Sequence, residues 1–221
     1  ELKMKYSKWF QAGTKKRYCG RVVWRDGKPL EEPYLDIKGF EVRRSSTPDY
    51  TRQLQKAIFE LKLTQGEEPA KALFDIEVCR FRKRDIPIAD IGIPVGINKM
   101  ISVEPPSPKT RHHDSIMEQI HTDKEEEESE FYLGNPIHVK AVRYSNKNLG
   151  RAFGRGDKVK LYYVHGVRGK PSTDVIAIER DETPPAEAVI DWEAMERRCL
   201  TLPFKGLFQS PGKATSLLNF T

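Results

Sequence analysis

Four consecutive residues near the start of the chain, Lys15-Lys16-Arg17-Tyr18, have side chains suited to binding a nucleic-acid backbone. Three adjacent cations can neutralise phosphates, and the phenol can donate a hydrogen bond to a backbone oxygen or pack on a sugar. In an extended segment, Lys16 and Tyr18 would point to one face and Lys15 and Arg17 to the other. The alternatives are a solvated basic loop and a nuclear-localisation signal, although the run is short and embedded in a β pattern.

The positive charge of the chain is concentrated around these four residues. The 221 residues include 38 Lys+Arg and 32 Asp+Glu, which gives a net charge of +6. Residues 1–44 contain 12 of the basic and 6 of the acidic residues, whereas the remainder contains 26 of each. The whole excess therefore lies in the segment with the basic motif, which indicates a polyanionic partner for that segment.

Strand patterns surround the basic motif. Residues 2–6 alternate between apolar residues and lysine, residues 18–24 are rich in β-forming side chains, and Asp26-Gly27 is typical of a hairpin turn. In the return strand, Gly39 marks a bulge or a close approach of two backbones. The first strand has no evident local mate, so we expect another chain to complete its sheet.

Helical patterns and further strands follow. Thr47-Pro48 indicates the start of one helix, and a second helix is expected after Pro69. The basic residues at 80–84 suit the dipole at the end of that second helix, with DNA contact as the alternative. A helix after Pro136, strands at 159–163 and 175–178 and a last helix after Pro185 complete the pattern, which predicts the α+β class.

Two stretches between these elements are irregular. Residues 86–101 are apolar but contain several prolines and glycines, and Asn98-Lys99 within them could meet a phosphate. Residues 123–128 are almost wholly acidic and indicate a solvated insertion away from any DNA-binding face.

Other classes of protein are not favoured by the composition. Cys19, Cys79 and Cys199 lie far apart, which argues for reduced thiols rather than a disulfide framework or a zinc site. The pair His112-His113 has no third and fourth metal ligands at a suitable spacing. No apolar run is long enough to span a membrane, so we expect a cytoplasmic protein without a membrane partner.

The opening segments resemble the palm end of archaeal family B DNA polymerases. The resemblance rests on Leu2-Lys3-Met4-Lys5-Tyr6, on Gly13-Thr14-Lys15-Lys16-Arg17-Tyr18 and on the run from Asp36 to Arg44, and more loosely on residues 138–139 and 155–164. It implies a small antiparallel palm segment at 1–45, a mainly helical thumb with a few short strands at 46–208, and a tail at 209–221. Residues 105–135 depart from the family pattern as an acidic insertion.

The resemblance also implies roles for individual residues. Lys15, Lys16, Arg17 and Tyr18 would contact the primer–template from the minor groove near the active site, and Lys38, Arg43 and Arg44 would hold primer phosphates. An Asp-Thr-Asp motif is absent from the sequence, so no catalytic residue and no metal ligand is expected on this chain. The chain thus resembles the small subunit of a split polymerase. A large catalytic subunit would supply the carboxylates and bind Mg²⁺, and no cofactor is expected here.

The tail resembles a peptide that binds a sliding clamp. Counted from Ala214, Leu217 falls at the aliphatic position and Phe220 at the aromatic position, but the consensus Gln and the second aromatic are missing. A frayed terminus with a few apolar residues is the alternative. For the whole chain, the alternative to a polymerase subunit is a stand-alone nucleic-acid-binding protein with a basic β-sheet.

Overall fold

A computed structural model describes residues 4–12, 16–98 and 136–208. The described chain forms two compact units. The first unit comprises the described residues up to Ile91 and those from Glu193 onward, and the second runs from Gly92 to Trp192. Helices and antiparallel strands occur in both, which confirms the predicted α+β class. Both sides of the predicted domain boundary at residue 45 lie in the first unit.

The first unit joins a three-stranded antiparallel sheet to helices. Its sheet has the order β1-β2-β3, and β1 pairs with β2 along most of its length. The expectation that the first strand lacks a local mate is therefore wrong, because β2 fills that place. The elements are β1 (Met4–Gln11), β2 (Tyr18–Arg25), β3 (Lys28–Lys38), a 3-10 turn (Glu41–Arg43), α1 (Asp49–Thr64), α2 (Glu67–Arg82) and α3 (Ile88–Ile91).

The predicted hairpin turn lies between β2 and β3. Asp26 and Gly27 both have positive φ, at 48° and 86°, as a tight two-residue hairpin turn requires. The start of α1 differs slightly from the prediction. The helix begins at Asp49, and the Thr47 hydroxyl donates to the Glu41 carbonyl at 2.5 Å instead of capping the helix.

Three phenylalanines join the sheet of the first unit to α1. Phe59 of α1 packs against Phe10 of β1 and against Phe40, with ring centroids 5.6 and 4.6 Å apart. Cys19 and Ile37 are buried on the same side of the sheet. Because side chains alternate along a strand, burying this inner face turns every second residue of β2 and β3 to the opposite face.

The second unit is a sheet packed on one helix. Strand β5 lies between β4 and β6 and also pairs with β7, and α4 packs against β6. The apolar core includes Val142 of α4, Leu161 of β5 and Ala177 of β6. The elements are β4 (Ile93–Gly96), α4 (Ile137–Asn148), β5 (Lys158–Val167), β6 (Val175–Glu179) and β7 (Ala188–Ile190).

The end of the described chain returns to the first unit. Helix α5 (Trp192–Glu196) continues as a π-helical turn (Arg197–Thr201). The predicted helix after Pro185 thus begins later than expected, after the short strand β7. Within the described ranges, no helix is long and apolar enough to cross a membrane.

Gln55, buried in α1, connects three parts of the first unit. Its Oε1 accepts from the Val42 backbone N–H at 2.8 Å, and its Nε2 donates to the Pro203 carbonyl at 3.0 Å and to the Glu41 carboxylate at 3.2 Å. A buried donor or acceptor that loses its partner carries its full desolvation cost. This side chain therefore fixes the 3-10 turn and the returning chain on one helix.

We expect Gln55→Leu to lower the free energy of unfolding by about 2–4 kcal/mol, because it leaves the Val42 N–H unpaired and removes the shorter of the two hydrogen bonds to the Pro203 carbonyl. Urea denaturation followed by circular dichroism measures this loss. Gln53→Leu on the exposed side of α1 is the matched control and should change stability by less than about 0.5 kcal/mol. Equal losses in the two variants would contradict the role assigned to Gln55.

Candidate nucleic-acid interface

The face of the first sheet opposite Cys19 carries several of the predicted site residues. We call this face, which presents Trp9, Tyr18, Gly20, Asp36 and Lys38, the outer face. Tyr18 lies opposite Lys38 across β2 and β3, and Gly20 lies between Trp9 and Asp36. The Trp9 side chain is 42% exposed and that of Lys38 is 51% exposed. The outer face thus combines a cation with aromatic surface.

A tyrosine and an aspartate of the outer face were not anticipated from the sequence. Tyr6 Oη donates to Asp36 Oδ2 at 2.8 Å, and Lys38 Nζ lies 3.5 Å from Asp36 Oδ1. The Tyr6 ring lies across Gly20, where any Cβ would overlap the ring. Burial, and next the hydrogen bond to Asp36, raise the pKa of Tyr6 above its usual range, so the phenol stays protonated. Asp36 thereby orients both a phenol and an ammonium group.

The loop before β2 is held close to the end of β3. The Lys16 carbonyl approaches Gly39, whose φ is +72°, and a Cβ at Gly39 would overlap that carbonyl. Only glycine accepts both this backbone conformation and this proximity. The predicted close approach at Gly39 is confirmed. It places the exposed side chain of Lys16 beside the start of the 3-10 turn.

Arg17 points into the first unit rather than out of it. Its guanidinium donates to the Glu41 carboxylate and to the carbonyls of Pro203 and Lys205, each at 3.4 Å. The guanidinium carbon also lies 4.7 Å from the centre of the Phe40 ring. The side chain is 23% exposed. The alternation predicted for Lys15 to Tyr18 is interrupted here, since β2 begins only at Tyr18.

The other predicted residues are distributed between the two units. Arg43 and Arg44, at the end of the 3-10 turn, both expose their side chains. The first unit therefore gathers Lys16, Arg17, Tyr18, Lys38, Arg43 and Arg44 around one end of its sheet. Asn98 is exposed in the second unit. Lys15, Lys99, Leu217 and Phe220 lie outside the described residues.

Two cations near Asn98 were missed by the sequence analysis. Lys158 pairs with Gly96 across β4 and β5, and the Ile97 N–H donates to the Asp157 carbonyl at 2.9 Å. This contact brings the turn that contains Arg155 next to Asn98. Both Arg155 and Lys158 are exposed. The run Gly154-Arg155-Gly156 is a turn as predicted, and it also displays a cation.

Sequence spacing gave little indication of these arrangements. Tyr6 and Asp36 are 30 positions apart, and Arg17 and Lys205 are 188 apart. In the described ranges, no three His, Cys, Asp or Glu side chains group closely enough to hold a metal ion. What the outer face and its adjoining loop offer is hydrogen-bond donors, positive charge and aromatic surface.

Comparison with known proteins gives a match to the fold only. No family model matches the chain, and no curated protein matches it. The chain is similar to the solved structure of the family B DNA polymerase from the hyperthermophilic archaeon Pyrobaculum calidifontis, with a TM-score of 0.58 and 16% sequence identity. The match covers 96% of this chain and 23% of that chain. The described chain thus shares the fold of a part of that archaeal polymerase.

Proposed function

We propose that this chain is the non-catalytic subunit of a DNA-directed DNA polymerase, which binds primer–template duplex and positions it for a large catalytic subunit. The proposal rests on the outer face and the loop beside it, where Lys16, Tyr18 and Lys38 lie together. The likeness to part of a family B polymerase over 96% of the chain supports it. Lys15 and Lys99 complete the proposed DNA-binding set outside the described residues, and Asn98 contributes from the second unit.

In this role the side chains bind and position DNA through their charge and shape, and they take no part in making or breaking covalent bonds. Lys16, Arg43 and Arg44 neutralise phosphates, and Lys38, oriented by Asp36, adds a further contact. The Tyr18 phenol reaches the minor groove, whose acceptors are present on every correct base pair. Such contacts check pairing without reading sequence. Placing the primer end accurately affects rate steeply, because small displacements of reacting groups are costly.

The edge of β1 left unpaired in the described part of the first sheet is an argument for a partner chain. Within the described residues β1 pairs only on its β2 side, and most of its residues are exposed, including Met4 and Trp9. Such an edge can accept a strand from another polypeptide. The partner would bring the carboxylates and the Mg²⁺ that phosphoryl transfer requires.

A stand-alone nucleic-acid-binding protein is the second candidate, and one observation favours it. Strand β1 finds its mate in β2, so the first sheet forms without a second chain. The subunit proposal requires a heterodimer, whereas the second candidate requires a monodisperse monomer that binds duplex. The assembly state therefore separates the two.

We expect Lys16→Ala to weaken binding of a fluorescein-labelled primer–template duplex several-fold. Because one phosphate contact is lost, the slope of log K against log salt concentration should fall by about 0.9. Fluorescence anisotropy at four salt concentrations measures both quantities. Lys71→Ala, which removes another exposed cation, from α2, is the control and should leave the slope unchanged. The same slope change in both variants would contradict a specific phosphate contact at Lys16.

We expect the chain alone to incorporate no nucleotide on a primed template with dNTPs and Mg²⁺, because the catalytic carboxylates lie elsewhere. A complex isolated from native extract through this chain should extend the primer. Lys16→Ala combined with Tyr18→Ala should reduce extension at least tenfold, while the amount of the co-purified large chain stays the same. Extension by the isolated chain would refute the non-catalytic assignment. A monomer that binds duplex and recovers no partner would favour the second candidate.

We further propose that the tail, which lies outside the described residues, binds a sliding clamp through Leu217 and Phe220. Replacing both with Ala should abolish stimulation of primer extension by the clamp and leave extension without the clamp unchanged, because tethering acts through effective concentration. The readout is product length in the presence and absence of clamp. Undiminished stimulation of the variant would remove this role from the tail.

A further inference from the structure

The contacts of Arg17 leave few donors free for DNA. Its two terminal nitrogens bond Glu41, Pro203 and Lys205, and its planar face lies on Phe40. Each of the three hydrogen bonds is 3.4 Å long, beyond the usual range for a single strong bond. The side chain is therefore held by several weak contacts made together. A phosphate at this position would have to displace all of them.

The chain segment that Arg17 binds is itself fixed to the helices. The Pro203 carbonyl also accepts from Gln55, and the Leu207 carbonyl accepts from Lys62 Nζ at 2.8 Å. Phe204 and Phe208 both pack against Phe74 of α2, with centroids 5.0 and 5.3 Å apart. Residues 203–208 thus form an anchored segment. Arg17 connects the loop of the outer face to this anchor.

We propose that Arg17 is a positioning residue that fixes Lys16 and the start of β2 at Tyr18 to the anchored segment 203–208, and that it does not itself contact DNA. The proposal rests on the proposed function, because it takes Lys16 and Tyr18 to bind DNA. Gly39 limits the loop on one side through the Lys16 carbonyl, and Arg17 holds it from the other. Duplex binding and the order of residues 203–208 are then coupled, and by linkage each stabilises the other.

Arginine-to-lysine exchange separates a positioning role from phosphate binding. A lysine keeps the charge and binds phosphate as a point charge, but it lacks the planar fork needed for three separate acceptors. In the full chain, we expect Arg17→Lys to weaken binding of the fluorescein-labelled duplex as much as Arg17→Ala does, about fivefold or more. Retention of wild-type affinity by Arg17→Lys, with loss only in Arg17→Ala, would overturn the proposal.

Hydrogen exchange tests the same proposal without DNA. Arg17→Lys should speed exchange of the amides in peptides covering 203–208 several-fold, whereas Arg21→Lys should not, because Arg21 of β2 pairs with Glu60 and not with this segment. Unchanged exchange in Arg17→Lys would also overturn the proposal. If Arg17→Ala fails to fold by circular dichroism, Arg17→Gln replaces it, and faster exchange at 203–208 is again expected because its amide cannot reach three separate acceptors.

The two measurements distinguish failure of this inference from failure of the proposed function. If the wild-type chain and Lys16→Ala bind duplex equally weakly, the DNA-binding role fails. The exchange comparison between Arg17→Lys and Arg21→Lys then still decides whether Arg17 fixes the loop to residues 203–208. Adding duplex to the wild type should slow exchange in 203–208, and no slowing on saturation would contradict the coupling.

Discussion

The packing of Phe59 between Phe10 and Phe40 determines which side of the first sheet meets solvent. These rings join α1 to the strands, and strand alternation then places Tyr18 and Lys38 on the opposite face. A shift of β2 by one residue would exchange the two faces, exposing Cys19 and burying Tyr18. The surface proposed for DNA therefore depends on a hydrophobic contact on the far side of the sheet.

The cations of the first unit serve different purposes although their sequence signals look alike. Arg17, Arg80 and Arg82 bind acceptors within the unit, and Arg82 makes paired contacts with Glu196 at about 3 Å. Lys16 and Arg43 expose their side chains instead. Charge counts along the sequence cannot separate these groups, because the acceptors of Arg17 and Arg82 come from distant parts of the chain, although Arg80 binds the nearby Glu77 and Asp85. The first group makes contacts within the folded unit, although exposed ion pairs such as that of Arg82 with Glu196 add little to stability.

Local patterns predicted much of the fold, and long-range contacts account for what was missed. The Asp26-Gly27 turn, the two long helices and strands β5 and β6 all follow from residue types within a few positions. The pairing of β1 with β2 was not predicted, because alternation of apolar and polar residues indicates a strand but not the strand with which it pairs. Strand β7 was mistaken for part of a helix, since three residues are too few to show a period.

In the candidate site, too, features set by local residue types were predicted and features set by long-range contacts were not. Gly39 was identified from its type alone, since a glycine in a strand pattern indicates close approach. Tyr6 and Asp36 carried no such signal, and their association requires both the register of the sheet and the absence of a side chain at Gly20. The direction in which Arg17 points could not be inferred either. Most of its acceptors are backbone carbonyls, and because every residue has one, the residue type does not indicate which carbonyl accepts.

The lysines on the outermost strand of the first sheet bear on aggregation. Lys5 and Lys8 of β1 are exposed, and the register of β1 against β2 is irregular around Ser7. Charged side chains and bulges on an edge strand disfavour pairing of two identical edges, because like charges would meet and the backbones would not align. Homodimers formed along β1 are thus disfavoured.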